Sequence, residues 1–351
     1  MRILNARGVR LFLLGLVMAI LATACGGDSG GDTANASGND LSGDIVVTGS
    51  STVEPISVAV ADKFSSENPD VNVSVEGPGT GDGMVKFCAG DADITDASRP
   101  IKLDEEEPVC KKNGIDYIEI KVGIDGLSVI TSPDNSDVTC LGFADLYSLL
   151  GPESEGFENW SDANDLAKKI GATHAPYPDA PLDVTGPGEE SGTFDSFGEI
   201  VMQGIAYDER GIPEDDPVIR PDYQASANDN VIIEGVAGSP SSLGWVGFAY
   251  YVQNQDKVKA LEIEDENGEC IPPDPDTIQS GAYPIARDLY FYVNAAKAKD
   301  NPAVAAFVDY YLSDPGISSV SEVGYVDLHP DDLQESRDVW EARETGTRQE
   351  S

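Results

Sequence analysis

Apolar positions along this chain follow two periods, and the switch between them recurs. Asp44-Ile45-Val46-Val47-Thr48 is a short β-like run that ends in Gly49-Ser50-Ser51-Thr52. Val53, Ile56, Val60 and Phe64 then fall near helical spacing, Pro55 suits a first helical turn, and Asn68-Pro69 closes the segment. Val71 to Val75 alternates as a strand does and runs into Gly77-Pro78-Gly79-Thr80-Gly81-Asp82-Gly83. A helical stretch with Met84, Val85, Phe87 and Cys88 follows, and Ala92 to Pro100 reads as a short strand entering a loop. Strand, loop and helix thus repeat twice, which predicts an α/β fold. Further on, Ile118 to Thr131 is β-rich and able to cross between lobes. Phe143 to Leu150 reads as a helix and Leu182 to Thr185 as a strand. Phe194, Phe197, Ile200 and Val201 mark an amphipathic helix, Leu289 to Val293 a strand, and Pro302 to Leu312 a helix carrying Val304, Phe307, Val308 and Tyr311.

Three of these junctions share one design: Gly49-Ser50-Ser51-Thr52, Gly79-Thr80-Gly81-Asp82-Gly83 and Ser191-Gly192-Thr193. In each, small hydroxylated and glycine residues stand between a strand and a helix. A helix N-terminus offers unpaired N–H groups and partial positive charge; glycine lets a ligand approach the backbone, and Ser or Thr adds a donor. For any one loop ordinary helix capping is the better reading. Three together point to an oxyanion cradle. No GxxxxGK[ST] or GxGxxG precedes these helices, which disfavours nucleotide-phosphate loops.

The first residues carry Arg2, Arg7 and Arg10, then an uncharged apolar run from Leu11 to Ala24 that is too short to span a bilayer comfortably. Residues 1–24 therefore read as a secretory signal, and Cys25 behind Ala22-Thr23-Ala24 as a lipidation site. Gly26 to Asp40 is Gly-, Ser- and Asp-rich, so 25–43 is expected to be a flexible tether. The remaining length suits two domains rather than one core. The chain holds 22 basic and 63 acidic residues, net −41; loss of 1–24 removes three arginines and no acid, giving −44. Nucleic acid and anionic membrane surfaces are excluded as partners on that balance. It does not exclude a small anion, because screening leaves the local groups to decide. Four further cysteines, Cys88, Cys110, Cys140 and Cys270, suit two disulfides in an exported chain. Of three possible pairings the local one, Cys88–Cys110, is favoured, leaving Cys140–Cys270. With no CxxC motif and His174 and His329 as the only histidines, neither a metal site nor a cofactor is expected.

Gly49-Ser50-Ser51-Thr52-Val53-Glu54-Pro55, the Gly79–Gly83 loop, Asp93-Ile94-Thr95-Asp96-Ala97-Ser98-Arg99-Pro100-Ile101 and Gly186-Pro187-Gly188-Glu189-Glu190-Ser191-Gly192-Thr193-Phe194 resemble motifs of the PstS family, the phosphate-binding proteins of high-affinity phosphate ABC importers. The likeness continues through Tyr223 to Asn230 and Tyr283-Pro284-Ile285-Ala286-Arg287 and covers roughly residues 44 to 328. It implies a type II periplasmic-binding-protein fold, two α/β lobes closing on the ligand: lobe 1 from 44–128 plus 285–343, lobe 2 from 129–284, and a polar tail at 344–351. It also implies phosphate donors at Ser51, Thr52, Thr80, Gly81, Ser98, Ser191, Gly192 and Thr193. Where better-known members carry an Arg four residues before Ser-Gly-Thr, this chain has Pro187, and where they carry an Asp it has Ser98. The cation and carboxylate are therefore expected from Arg99 and Asp96, against an ion pair and a loop-structuring carboxylate as the competing readings. Arg287, ahead of a β-rich segment, reads as structural. Ser226, Asp229 and Asn230 either reach the site from lobe 2 or cap a helix.

The resemblance implies a monomeric, exported binding protein, lipid-anchored to the outer face of the cytoplasmic membrane, that delivers inorganic phosphate to ABC permease subunits. Two alternatives compete. A sulfate or molybdate binder would disfavour a carboxylate in the site, since sulfate carries no proton to share near neutral pH. A secreted phosphatase would need a metal pair or an activated nucleophile, and neither histidine lies near the Ser-rich loops in sequence; the chain is expected not to be an enzyme.

Overall fold

The computed structural model describes residues 41–348, apart from 190 and 215. The signal segment 1–24, Cys25 and the tether up to 40 lie outside the described residues. Among the described residues twelve strands run in chain order: β1 Gly43–Gly49, β2 Val71–Glu76, β3 Ile94–Ala97, β4 Tyr117–Thr131, β5 Cys140–Leu141, β6 Val184–Pro187, β7 Gln224–Ser226, β8 Leu243–Gly247, β9 Lys259–Ala260, β10 Glu262–Glu264, β11 Cys270–Ile271 and β12 Ala286–Asn294. Among the described residues the main sheet has the order β2-β1-β3-β12-β4-β8-β6-β7, with β9 on β4, and a small sheet has the order β11-β10-β5.

β1 lies parallel to β2 and β3, and β6 parallel to β7 and β8, as crossover helices require. Between these groups, β12 and β4 run antiparallel to each other and to their neighbours. β4 pairs with β12 up to Gly126 and with β8 from Leu127, so this one strand serves both halves of the sheet. All of its residues except Lys121 are buried, the polar Glu119, Asp125 and Ser128 included.

Each half has its own core. Ile45, Val47, Ile56, Val60, Phe64, Phe291, Val304 and Phe307 pack on one side. Leu127, Leu146, Trp160, Phe197, Val201 and Trp245 pack on the other. α1 (Glu54–Glu67) buries its apolar face in the first core, and α4 (Phe143–Leu150), α5 (Asn164–Ile170) and α6 (Gly192–Phe197) in the second; α2 (Thr80–Ala89) and α3 (Glu106–Asn113) pack together in a third cluster with Met84, Phe87 and Tyr292, and α7 (Asp229–Ala237) in a fourth with Ile130 and Val246. Past α6 the chain continues through π-helical turns at Gly198–Met202 and Gly204–Glu209. Cys88 is bonded to Cys110, joining α2 to α3, and Cys140 to Cys270, joining β5 to β11.

The C-terminal residues that read as a polar tail are held in part. Gly346 bridges to Ile118, and buried Glu119 accepts hydrogen bonds from the Thr347 hydroxyl (2.9 Å) and the Arg348 amide (2.8 Å). Satisfying a buried carboxylate in this way gives the segment a position that its composition does not announce.

Candidate functional site

Gly49 ends β1 with φ +141°, and a Cβ there would lie 2.1 Å from the Asp96 carbonyl. Only glycine fits this close approach of β1 to β3. The turn beyond is closed by Ser50, whose Oγ accepts from the Thr52 amide at 3.1 Å and the Val53 amide at 3.4 Å. With Ser50 spent on capping, Ser51 and Thr52 turn toward the other half of the molecule. Ser51 Oγ donates to Asp195 at 2.7 Å, and Thr52 Oγ1 lies 3.2 Å from Ser196 Oγ.

The opposing loop is built similarly. Ser191 caps α6 by accepting from the Thr193 amide at 3.2 Å. A Cβ on Gly192 would stand 3.2 Å from Thr52 Cα, so the missing side chain is what lets the two loops meet. Ser191, Gly192, Thr193, Asp125 and Asp229 line a small cavity of about 160 Å³. A larger cleft of about 790 Å³ is walled by Thr80, Gly81, Ser98, Arg99, Glu199 and Arg287, among others.

Arg287 stands at the join. On β12 it is directly opposite Asp125 of β4, with Nε 3.5 Å from the Asp125 carboxylate. Nη2 donates to Ser196 Oγ at 2.8 Å and Thr52 Oγ1 at 3.2 Å, while Nη1 is paired with Glu199. The shared strand pair thus carries a guanidinium to the point where the hydroxyl loops of both halves converge. Arg99, the cation expected from the sequence, lies on the cleft wall with its fork closed on Glu106 at 2.9 and 2.7 Å, the geometry of the competing ion-pair reading.

Asp96 is buried on β3 and lines neither cavity. Burial pushes its pKa up to about 7, tempered by nearby Ser57 and reinforced by Glu54. Neither carboxylate oxygen closes a well-formed hydrogen bond; the Ser57 hydroxyl is near enough only to soften the effect. The carboxylates at the loops are instead Asp125, Asp195 and Asp229. Burial raises the pKa of all three, with Arg287 pulling Asp125 and Asp195 part of the way back. Thr80 and Ser98 hold each other, Oγ1 to Oγ at 3.1 Å. Ser226 accepts from the Asn228 amide at 3.1 Å within its own turn. Asn228 caps α7 by accepting from the exposed Asn230 amide at 3.0 Å. Of those three residues, Asp229 is the one at a cavity.

Glu199 and Gln203 on the cleft wall, and the buried Ser196 that holds Arg287 and Thr52, were not anticipated. With Gly192 they form a polar stripe at positions i, i+4, i+7 and i+11, the face opposite Phe197 and Val201. That periodicity was the available signal.

Two α/β halves sharing a strand pair, with helix-capping hydroxyl loops and an arginine at their junction, define a solute-binding protein of the periplasmic type. Residues 34–315 match the PBP superfamily domain. Protein SphX of Synechococcus elongatus is 36% identical over 305 residues, 86% of this chain and 83% of its own. The phosphate-binding protein PstS of Staphylococcus aureus is 34% identical over 310 residues, 88% of this chain and 84% of its own. A crystal structure of a possible phosphate-binding protein from Planctomyces limnophilus has a TM-score of 0.76 at 38% identity, covering 86% of this chain and 99% of its own. The chain belongs to the PstS/SphX phosphate-binding protein family.

Proposed function

We propose that this chain captures inorganic phosphate outside the cytoplasmic membrane and delivers it to the permease of an ABC importer. The observation that carries the reading is the Arg287 guanidinium, which donates to Thr52 and Ser196 at the meeting of two helix N-terminal loops. A planar fork there can hold two oxygens of a tetrahedral anion. Backbone N–H groups and hydroxyls of Ser51-Thr52 and Ser191-Gly192-Thr193 supply further donors. Asp125 and Asp195 favour an anion that brings a proton: phosphate shares one with a carboxylate, whereas sulfate would face it as a bare like charge. In this reading Arg287 takes the role first expected of Arg99, and the carboxylate role passes from Asp96 to Asp125 and Asp195. Residues 44–128 with 285–343 form one jaw and 129–284 the other. Membrane attachment through Cys25 rests on the sequence, and mass spectrometry of the mature N-terminus should find a diacylglyceryl group there.

Calorimetry decides between the anions. Phosphate should bind one per chain with micromolar or tighter affinity, which needs about 8 kcal/mol, and sulfate at least roughly a hundredfold more weakly. Equal affinities would defeat the proposal. Glu199 competes with the ligand for Arg287, so Glu199→Gln should tighten phosphate binding about threefold, the worth of a half-exposed ion pair. Weaker binding in that variant would show Glu199 contacting the anion itself.

A further inference from the structure

Away from the cleft, Asp145, His174 and Glu264 meet beside the Cys140–Cys270 disulfide. They come from the first turn of α4, the segment after α5 and the end of β10. His174 Nδ1 lies 3.0 Å from Asp145 Oδ2 and 3.3 Å from Glu264 Oε2, and the three atoms all fall within 4.8 Å of one another. Ligands about 2.1 Å from a shared ion, at tetrahedral or octahedral angles, stand about 3.0–3.4 Å apart. The two spacings to Nδ1 match that separation. We propose that Asp145, His174 and Glu264 form a binding site for a divalent transition-metal ion of the zinc class, with one imidazole nitrogen and two carboxylate oxygens as ligands.

The surroundings suit an ion. Asp145 is fully buried, unlike the exposed acids that crowd the rest of this surface. Its Oδ1 accepts from Tyr177 Oη at 2.6 Å and the His174 amide at 3.2 Å, and its Oδ2 from the Gly142 amide at 2.9 Å. Such outer hydrogen bonds hold a ligating carboxylate in place. A cavity of about 640 Å³ opens over Asp145, Glu264 and Thr173, whose hydroxyl lies 3.0 Å from His174 Nδ1 and donates to Glu264 Oε2, so an ion would take the place of that hydrogen bond and leave its remaining positions to water. Cys140 and Cys270 are oxidised to a disulfide and offer no thiolate. The metal would take the Nδ1 lone pair of the imidazole tautomer that carries its hydrogen on Nε2, the nitrogen 3.8 Å from Cys270 Sγ. The sequence pointed away from any metal because the three ligands are scattered between positions 145 and 264 and form no spaced motif. The site shares no residue with the phosphate cleft and stands independently of that reading.

The test is equilibrium dialysis of chelator-stripped mature protein against Zn²⁺, with excess Mg²⁺ present to occupy sites made of carboxylates alone. One Zn²⁺ per chain is expected. His174→Ala and, separately, Glu264→Gln should each weaken its binding roughly a hundredfold while leaving phosphate binding unchanged. Should one variant fail to fold, the other still decides. Absence of stoichiometric Zn²⁺, or retention of it in either folded variant, would overturn the proposal.

Discussion

Replacing Arg287 with Lys should weaken phosphate binding roughly ten- to a hundredfold, or about 1.5–3 kcal/mol, while Arg99→Lys should change it only a few-fold. Both side chains border the same cleft. The difference lies in what holds them. Arg99 spends both Nη groups on Glu106, so the ligand would meet an already neutralised pair. Arg287 is positioned by the cross-strand Asp125 and has Nη2 on the hydroxyls of Thr52 and Ser196. Lysine at 287 keeps the charge but loses the planar fork. Calorimetry on both variants checks this, with circular dichroism to confirm that Asp125, buried and stripped of its best partner, has not unfolded the protein. A larger loss at Arg99 than at Arg287 would return the cation's role to Arg99.

Asp96→Asn should stabilise the protein at pH 8 and not at pH 4. The folded carboxyl titrates near 7 rather than at the ordinary 3.8 because burial disfavours its charged form. Below about pH 4 both folded and unfolded chains carry the proton, and no penalty arises. Between about 4 and 7 the unfolded chain releases it and the folded chain keeps it, so stability falls as pH rises. Above 7 the penalty levels off at on the order of 4 kcal/mol. Asparagine removes that ionisation in a side chain of the same shape. Urea denaturation of both proteins at the two pH values, disulfides intact, measures the effect. The same stability difference at both pH values would show that Asp96 ionises freely. Since Asp96 lines neither cavity, phosphate affinity should be nearly unchanged.

Local chemistry was legible in the residues. The change from period 2 to helical spacing located β1 and α1, β2 and α2, because each pattern reports which side of one element is buried. β6 begins at Val184, two residues later than the apolar run, since Leu182 packs in the core from outside the strand. The hydroxyl loops were recognisable because the same Gly and Ser/Thr pattern recurs at three strand-to-helix turns, although helix capping alone accounts for any one of them. Both disulfide pairings followed from spacing and elimination.

Roles that depend on a partner were not legible. Thr52 and Arg287 are 235 residues apart, and Thr52 and Ser196 are 144 apart. They meet because β4 runs through both halves of the sheet and its partner β12 places Arg287 opposite Asp125, where the loops close. Arg99 and Glu106 are seven residues apart, and nothing in their composition shows that the arginine on the cleft wall closes its fork on that glutamate. Asp96 stands on β3 beside Ser57 and Glu54 of α1, while the cleft residues Ser98 and Arg99 follow the end of that strand; the packing of the sheet on α1 decides this. A periodic pattern specifies a buried face; the atom on the other side of that face is chosen by the packing of distant elements, and charge pairing acts only over that final separation in space.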